Sequence, residues 1–298
     1  MKTKGIKIWQ RIAGWIVLAL FLSLGTAGAE EFNFAKIKAA AEKGDNEAQF
    51  LLGRAYMRGE GVPQDEAKAV GFYRKAAEQG NAKAQHNLGS MYLQGRGVKK
   101  NEVEAVKWFQ QAAQNNAAFS QFTLGTMQAS GRGMKKNEAE AVKWFRKAAE
   151  QGLAEAQVRL AQSYYFGEDG LKKNYQESAK WSAVAAGQGN ATAQNMLGTQ
   201  YEMGQGVTKD FKQAAHWFRR AAEQGNAKAQ ANLGRLYTFG SGVPKDPVQA
   251  YFWLTLSKNQ GEVTAQNLLA DYQHGLKPEQ IAEGNRLVEE YRGRKPNS

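Results

Sequence analysis

Beyond residue 44 the apolar and polar positions of this chain follow two periods at once. Within stretches of about a dozen residues, apolar side chains return every three to four positions, the spacing of a helix with one buried side. Over the longer range the whole pattern returns every 36 residues. Gly44, Gly80, Gly152, Gly189, Gly225 and Gly261 mark the interval, with Asn116 in the third place and a single step of 37 between Gly152 and Gly189. Between these marks one order recurs: Ala-Gln, Leu-Gly, Tyr, Gly-x-Gly-Val, an alanine with an aromatic pair, and Ala-Ala-Glu-Gln-Gly. A fixed period of this length is the mark of a stacked repeat architecture.

Each unit predicts two helices. Ala84, Leu88 and Tyr92 lie four apart on one side of the first, and Gly95-Arg96-Gly97-Val98 ends it, because glycine past a helix C-terminus takes the left-handed conformation at little cost. Asn101 stands where the second helix needs an N-cap. Trp108, Phe109, Ala112 and Ala113 give that helix its bulky and small sides. Every leucine of the set 52, 88, 124, 160, 197, 233 and 269 is followed by glycine or alanine. Glycine in mid-helix costs about 1 kcal/mol relative to alanine, so its return predicts a close crossing by another backbone at that point.

The motif A-x-x-x-L-G-x-x-Y, then G-x-G-V, A-x-x-W/F and A-A-E-Q-G, resembles the Sel-1-like repeats, relatives of the tetratricopeptide repeat. The resemblance implies an all-α fold, a right-handed α-α superhelix of six full repeats and a partial seventh. It also implies a binding scaffold or adaptor without catalysis of its own. The expected units are 45–80, 81–116, 117–152, 153–189, 190–225 and 226–261. A capping helix over 30–44 precedes them, with Phe34, Ile37 and Ala41 along one side, and a degenerate seventh repeat with a polar C-terminal cap covers 262–298. Copy three departs from the pattern at Asn116, Ser120 and Gln128, and copy four gains a residue within Gly167-Glu168-Asp169-Gly170.

Composition and charge narrow the classes. Hydrophobic residues at 42% and charged ones at 23% exclude disorder and a polytopic membrane protein. Forty Lys and Arg against 28 Asp and Glu give a formal charge of +12. The absence of cysteine removes disulfides, thiolate metal sites and thiol nucleophiles. Lys2, Lys4, Lys7 and Arg11 precede an uncharged run from Ile12 and a small-residue Ala27-Gly28-Ala29. That order predicts a signal peptide over 1–29, with a periplasmic or secreted product after cleavage. An uncut inner-membrane anchor is the alternative, and nucleic acid is a poor partner for an exported chain.

Candidate chemistry is thin. No serine is followed three places later by lysine, and neither G-x-S-x-G nor H-E-x-x-H occurs, so a cell-wall or β-lactam-acting enzyme has no supporting motif. His86 and His216 fall in slots that vary between copies and read as surface positions. The Gly-x-Gly pairs follow helices and read as helix stops, and Trp108, Trp144, Trp181, Trp217 and Trp253 read as core. No cofactor is expected. Two surfaces remain. Taking Leu88 as the centre of the buried face, the opposite side of the first helices carries Phe50, Leu51, Phe119, Phe122, Val158 and Met196, a docking face for a protein or peptide. The resemblance places the first helices along the concave groove; packing against a neighbouring turn is the other reading of these residues. Lys100, Lys136, Lys173, Lys209 and Lys245 form a loop row, one per repeat, that could attract an anionic envelope polymer or a membrane surface or stand simply as solvated charge.

Overall fold

The computed structural model describes residues 34–294. The leader expected over 1–29, and the alternative anchor, lie outside the described residues. Among those described there is no strand, and no helix is long and apolar enough to cross a membrane. Helix α1 (Phe34–Glu42) is followed by six pairs: α2 (Asn46–Arg58) with α3 (Glu66–Glu78), α4 (Ala82–Gln94) with α5 (Glu102–Gln114), and α6 (Ala118–Ser130) with α7 (Glu138–Glu150). The remaining pairs are α8 (Ala154–Phe166) with α9 (Tyr175–Gly187), α10 (Ala191–Met203) with α11 (Phe211–Glu223), and α12 (Ala227–Phe239) with α13 (Pro247–Asn259). Then come α14 (Val263–Tyr272), a 3-10 turn and α15 (Pro278–Arg294). Up to α14 each helix packs on the next in sequence, as stacking repeats must, because no single hairpin can bury its own apolar face, and α15 folds back onto α13.

The start and stop signals act as the sequence predicts. Second helices open on Asp65, Asn101, Asn137, Asn174, Asp210 and Asp246, whose side-chain oxygens accept from amides two or three residues on. First helices end in left-handed glycine, as at Gly95 with φ of 73°. At Gly97, Gly133, Gly206 and Gly242 the second glycine of the Gly-x-Gly does more than stop a helix. A Cβ on Gly97 or Gly133 would run into the carbonyl of Glu66 or Glu102, so these loops rest directly on the second helix of the preceding repeat.

What crosses the helix glycine is chiefly a ring, rather than the bare backbone the sequence suggested. A Cβ on Gly53, Gly125 or Gly198 would stand 2.7 Å from the ring of Tyr73, Phe145 or Phe218. These rings, with Phe109, are the largest fully buried side chains, and they follow the tryptophan slot by one residue. Trp181 and Trp253 are buried, but Trp108, Trp144 and Trp217 are only half-buried. In copy four the pair is inverted: Ala161 replaces glycine, and Ser182 takes the place of the ring.

A buried glutamine ties the repeats together. Gln85 Nε2 donates to the Ala77 carbonyl of the preceding repeat at 3.0 Å, and its Oε1 accepts from Asn115 at the end of its own second helix at 3.1 Å. Gln49, Gln121, Gln157, Gln194 and Gln230 form the same bracket. The carbonyl it meets already accepts a backbone amide three residues on, as Ala77 does from Gly80 at 3.0 Å, so the glutamine fills the second acceptor site and its own buried amide is satisfied.

At the ends, α1 sets Phe34 edge-on against Tyr56 at 6.4 Å, with Ala41 buried. The polar terminal helix expected from sequence has an apolar side as well. In α15, Val288 is buried, Gly284 admits the ring of Tyr251, and Tyr291 packs on Phe252 and Trp253 while its hydroxyl donates to the Glu223 carbonyl at 3.0 Å. It seals the last aromatic pair of the array.

Candidate functional site

The predicted docking residues divide by what they touch. Phe50 is 8% exposed and packs on Tyr73 at 5.9 Å; Phe122, half-buried, packs on Phe145 at 5.7 Å. His86 occupies the same slot, lying on Phe109 at 5.5 Å with Nδ1 2.8 Å from Ser120 Oγ, so it is a packed residue and not the surface position expected. The helical wheel centred on leucine missed this. The second helix nests over the glycine one residue further round, and residues three before that glycine share its face. Leu51, Val158 and Met196 are half-buried between neighbouring first helices. Phe119 is different: at 61% exposed it projects from the first turn of α6.

Phe119 walls a recess of about 390 Å3 shared by three successive first helices, α2, α4 and α6. Phe50, Ala82, His86 and Ser120 share the lining with Lys83 and Asn87, a mainly apolar surface with an imidazole–hydroxyl bridge and one ammonium group, which lies over the Phe50 ring. Burial pushes the His86 pKa below the usual histidine value, which favours the neutral ring.

On the other side of α6 lies a wider pocket of about 730 Å3, lined by Phe122, Thr126, Ser130, Glu138, Arg159 and the 167–170 loop. The extra residue of copy four builds its wall. Asp169 sits at φ 53° and is buried, where its carboxylate accepts from Arg159 Nη2 at 2.6 Å and from the Ser163 hydroxyl. Arg159 lies over the Phe145 ring, and Glu138 is held by Lys136 at 2.6 Å. With Asp169 paired to Arg159 and Glu138 to Lys136, Glu168 leaves the pocket one negative charge in excess, in a chain of net positive charge. Among the described residues no cluster of His, Cys, Asp and Glu could hold a metal ion.

Six consecutive segments, 46–81, 82–116, 118–153, 154–190, 191–226 and 227–262, match the Sel1 repeat. The chain belongs to the Sel1 repeat family. A Sel1 repeat protein from Oxalobacter formigenes is 35% identical over 74% of this chain and 90% of its own, with a TM-score of 0.63. A protective antigen with an SLR fold from uropathogenic Escherichia coli is 28% identical over 89% of this chain and 75% of its own, at a TM-score of 0.40. The immunity protein PA5088 from Pseudomonas aeruginosa is 24% identical over 78% and 88%, at 0.44. Among curated proteins none matches. No catalytic family is indicated.

The lysine row of these Sel1 repeats is exposed throughout but is not uniform. Lys100 pairs with Glu102 at 3.4 Å and Lys136 with Glu138 at 2.6 Å, whereas Lys209 lies over the Phe211 ring at 4.8 Å. Among the described residues no carboxylate pairs with Lys173, Lys209 or Lys245 within 4.0 Å. Arg96–Glu66 and Arg132–Glu102 pairs cross between the early Sel1 repeats. The five lysines therefore do not act as one free ridge. The acidic pocket beside Phe122 was missed because only the inserted residue, and no repeated column, signals it.

Proposed function

We propose that this Sel1 repeat protein is a non-catalytic scaffold that binds a protein or peptide across α6, using the recess and pocket on either side of that helix. Phe119 carries the reading: a large ring held out in water beside an apolar recess gains little until something covers it. Protein–protein interaction is also the general role of the family. The two cavities differ in chemistry, so a segment lying over α6 would place an apolar side chain against Phe119 and a basic one against Glu138 and Glu168. The n-region and apolar run within residues 1–29 support export, which directs the search for the partner to the cell envelope.

The test uses peptides selected from a displayed library on the full chain. Phe119→Asp should lose at least ten-fold in affinity while helical content is unchanged. Phe50 and Phe122 are unsuitable for this purpose, because both pack on core rings. Equal affinity of the Phe119→Asp variant for every selected peptide would remove this face from the function. Residue Glu30 at the N-terminus of the protein recovered from cells would support export; an intact Met1 would count against cleavage.

A further inference from the structure

Three columns of the repeat change together at copy four. The last residue of the first helix is Arg58, Gln94 and Ser130 in copies one to three, then Phe166, Met203 and Phe239. The first residue of the second helix is Glu66, Glu102 and Glu138, then Tyr175, Phe211 and Pro247. The loop lysines are held by glutamate in copies two and three, then free of carboxylates at Lys173, Lys209 and Lys245. Phe166, Met203 and Phe239 are 58, 57 and 66% exposed, three of the most exposed large apolar side chains among the described residues. Each stands immediately before the glycine whose left-handed turn leads into its lysine, and the Cβ of Lys209 and Lys245 lie beside Gly204 and Gly240. Tyr165 adds to the cluster, with its ring 4.9 Å from Phe166 and 5.3 Å from Tyr175. Acidic groups near this edge are Glu168, Glu202, which is tied to Arg235 at 2.7 Å, and the capping Asp210 and Asp246.

We propose that this edge of repeats four to six docks on an anionic lipid surface, with Phe166, Met203 and Phe239 entering the headgroup boundary and Lys173, Lys209 and Lys245 meeting phosphates. Neighbouring helices stack about 8–10 Å apart, so the three apolar tips form one line flanked by one line of charge. The cation is lysine in every case. Protein interfaces enrich arginine and deplete lysine, whereas lysine with aromatic and aliphatic side chains is the composition that binds an anionic bilayer. The inference concerns repeats four to six, beyond the pocket that ends at the 167–170 loop, and does not depend on the proposed peptide site.

Because the chain has no cysteine, a single introduced thiol reports on one position. Met203→Cys in the full chain, carrying an environment-sensitive dye, is titrated with vesicles of equal phosphatidylglycerol and phosphatidylcholine containing nitroxide-labelled lipid. Val103→Cys and Val184→Cys, exposed apolar sites on second helices, serve as references. The readout is local, so attachment through the apolar run after Ile12 alone does not produce it. Quenching at 203 well above both references is expected, with loss in phosphatidylcholine alone. Replacing Lys173, Lys209 and Lys245 by Gln should weaken the apparent affinity about a hundred-fold, near five-fold for each charge. Quenching at 203 no greater than at the references would overturn the proposal and leave an acidic protein as the occupant of this edge. Quenching that persists on neutral vesicles would overturn it too.

Discussion

Replacing a mid-helix glycine by alanine ordinarily stabilises a helix by about 1 kcal/mol, and two positions in this chain should respond with opposite sign. Gly71 in α3 is exposed, and an added Cβ meets nothing within 4 Å, so Gly71→Ala should gain about 1 kcal/mol. At Gly125 the same methyl would stand 2.7 and 2.8 Å from two carbons of the Phe145 ring and 3.1 Å from the Ala141 carbonyl. Overpacking of this kind costs roughly 1–3 kcal/mol, which cancels or outweighs the propensity gain and leaves a net loss of about 0–2 kcal/mol. Phe145→Ser alone removes a fully buried ring, at about 3–5 kcal/mol. In that background Gly125→Ala should become stabilising, because it reproduces the Ala161–Ser182 pair that copy four already carries. The double-mutant cycle should therefore show a favourable coupling of about 1–3 kcal/mol. Hydrogen exchange of α6 and α7 amides is the suitable assay, since an array need not unfold in one step. If Gly125→Ala stabilises as much as Gly71→Ala, the ring does not fill the notch and the packing argument fails.

Gln157→Ala should cost about 1 kcal/mol in local opening of α8, since the Ala149 carbonyl keeps only the Gly152 amide as donor while Gln188 can turn to water; unchanged exchange at α7–α8 would deny the bracket any energetic weight. Ala117 has the backbone angles of the capping residues Asn81, Asn190 and Asn226 but no capping side chain, so Ala117→Asn should raise the denaturation midpoint by about 1 kcal/mol of added stability. No rise, together with unchanged exchange at the start of α6, would show that the amide is already satisfied. His86 has its pKa lowered by burial among Phe109 and Ser120, with Lys83 the charged neighbour on its own helix. The unfolded chain therefore binds the extra proton first: stability is full above about pH 6.5 and falls as pH drops from there toward the folded pKa. An NMR titration should place the His86 midpoint below 6.5, and His86→Gln should flatten that part of the pH–stability curve; a midpoint above 6.5 would reverse the sign.

Much of this architecture could be read from one chain because the repeats compare themselves. The caps at Asn101 and Asp210, the stop at Gly95 and the tight fit after each leucine all follow from letters that return in register. Errors arose where single columns were read apart. Ala161 and Ser182 both stood in view, yet their complementarity appears only when the two slots are known to touch. Phe50 and Phe122 looked free of core duty because the wheel was centred one residue away from the nested ring. The lysine row seemed uniform because the glutamates that neutralise Lys100 and Lys136 lie in a different column. The seal made by Val288 and Tyr291 had no counterpart elsewhere in the array to announce it.

The glutamine bracket has a consequence for how such a chain can change length. Each amide reaches back to an alanine eight residues earlier and is met by a side chain 30 residues later, or 31 in copy four with its inserted residue. Excising or duplicating one whole unit rejoins equivalent halves, so every severed hydrogen bond is remade across the seam. A cut of any other size strands an amide at the join. The molecule is thus built to grow and shrink by whole hairpins, and its span can be reset without redesigning a single interface.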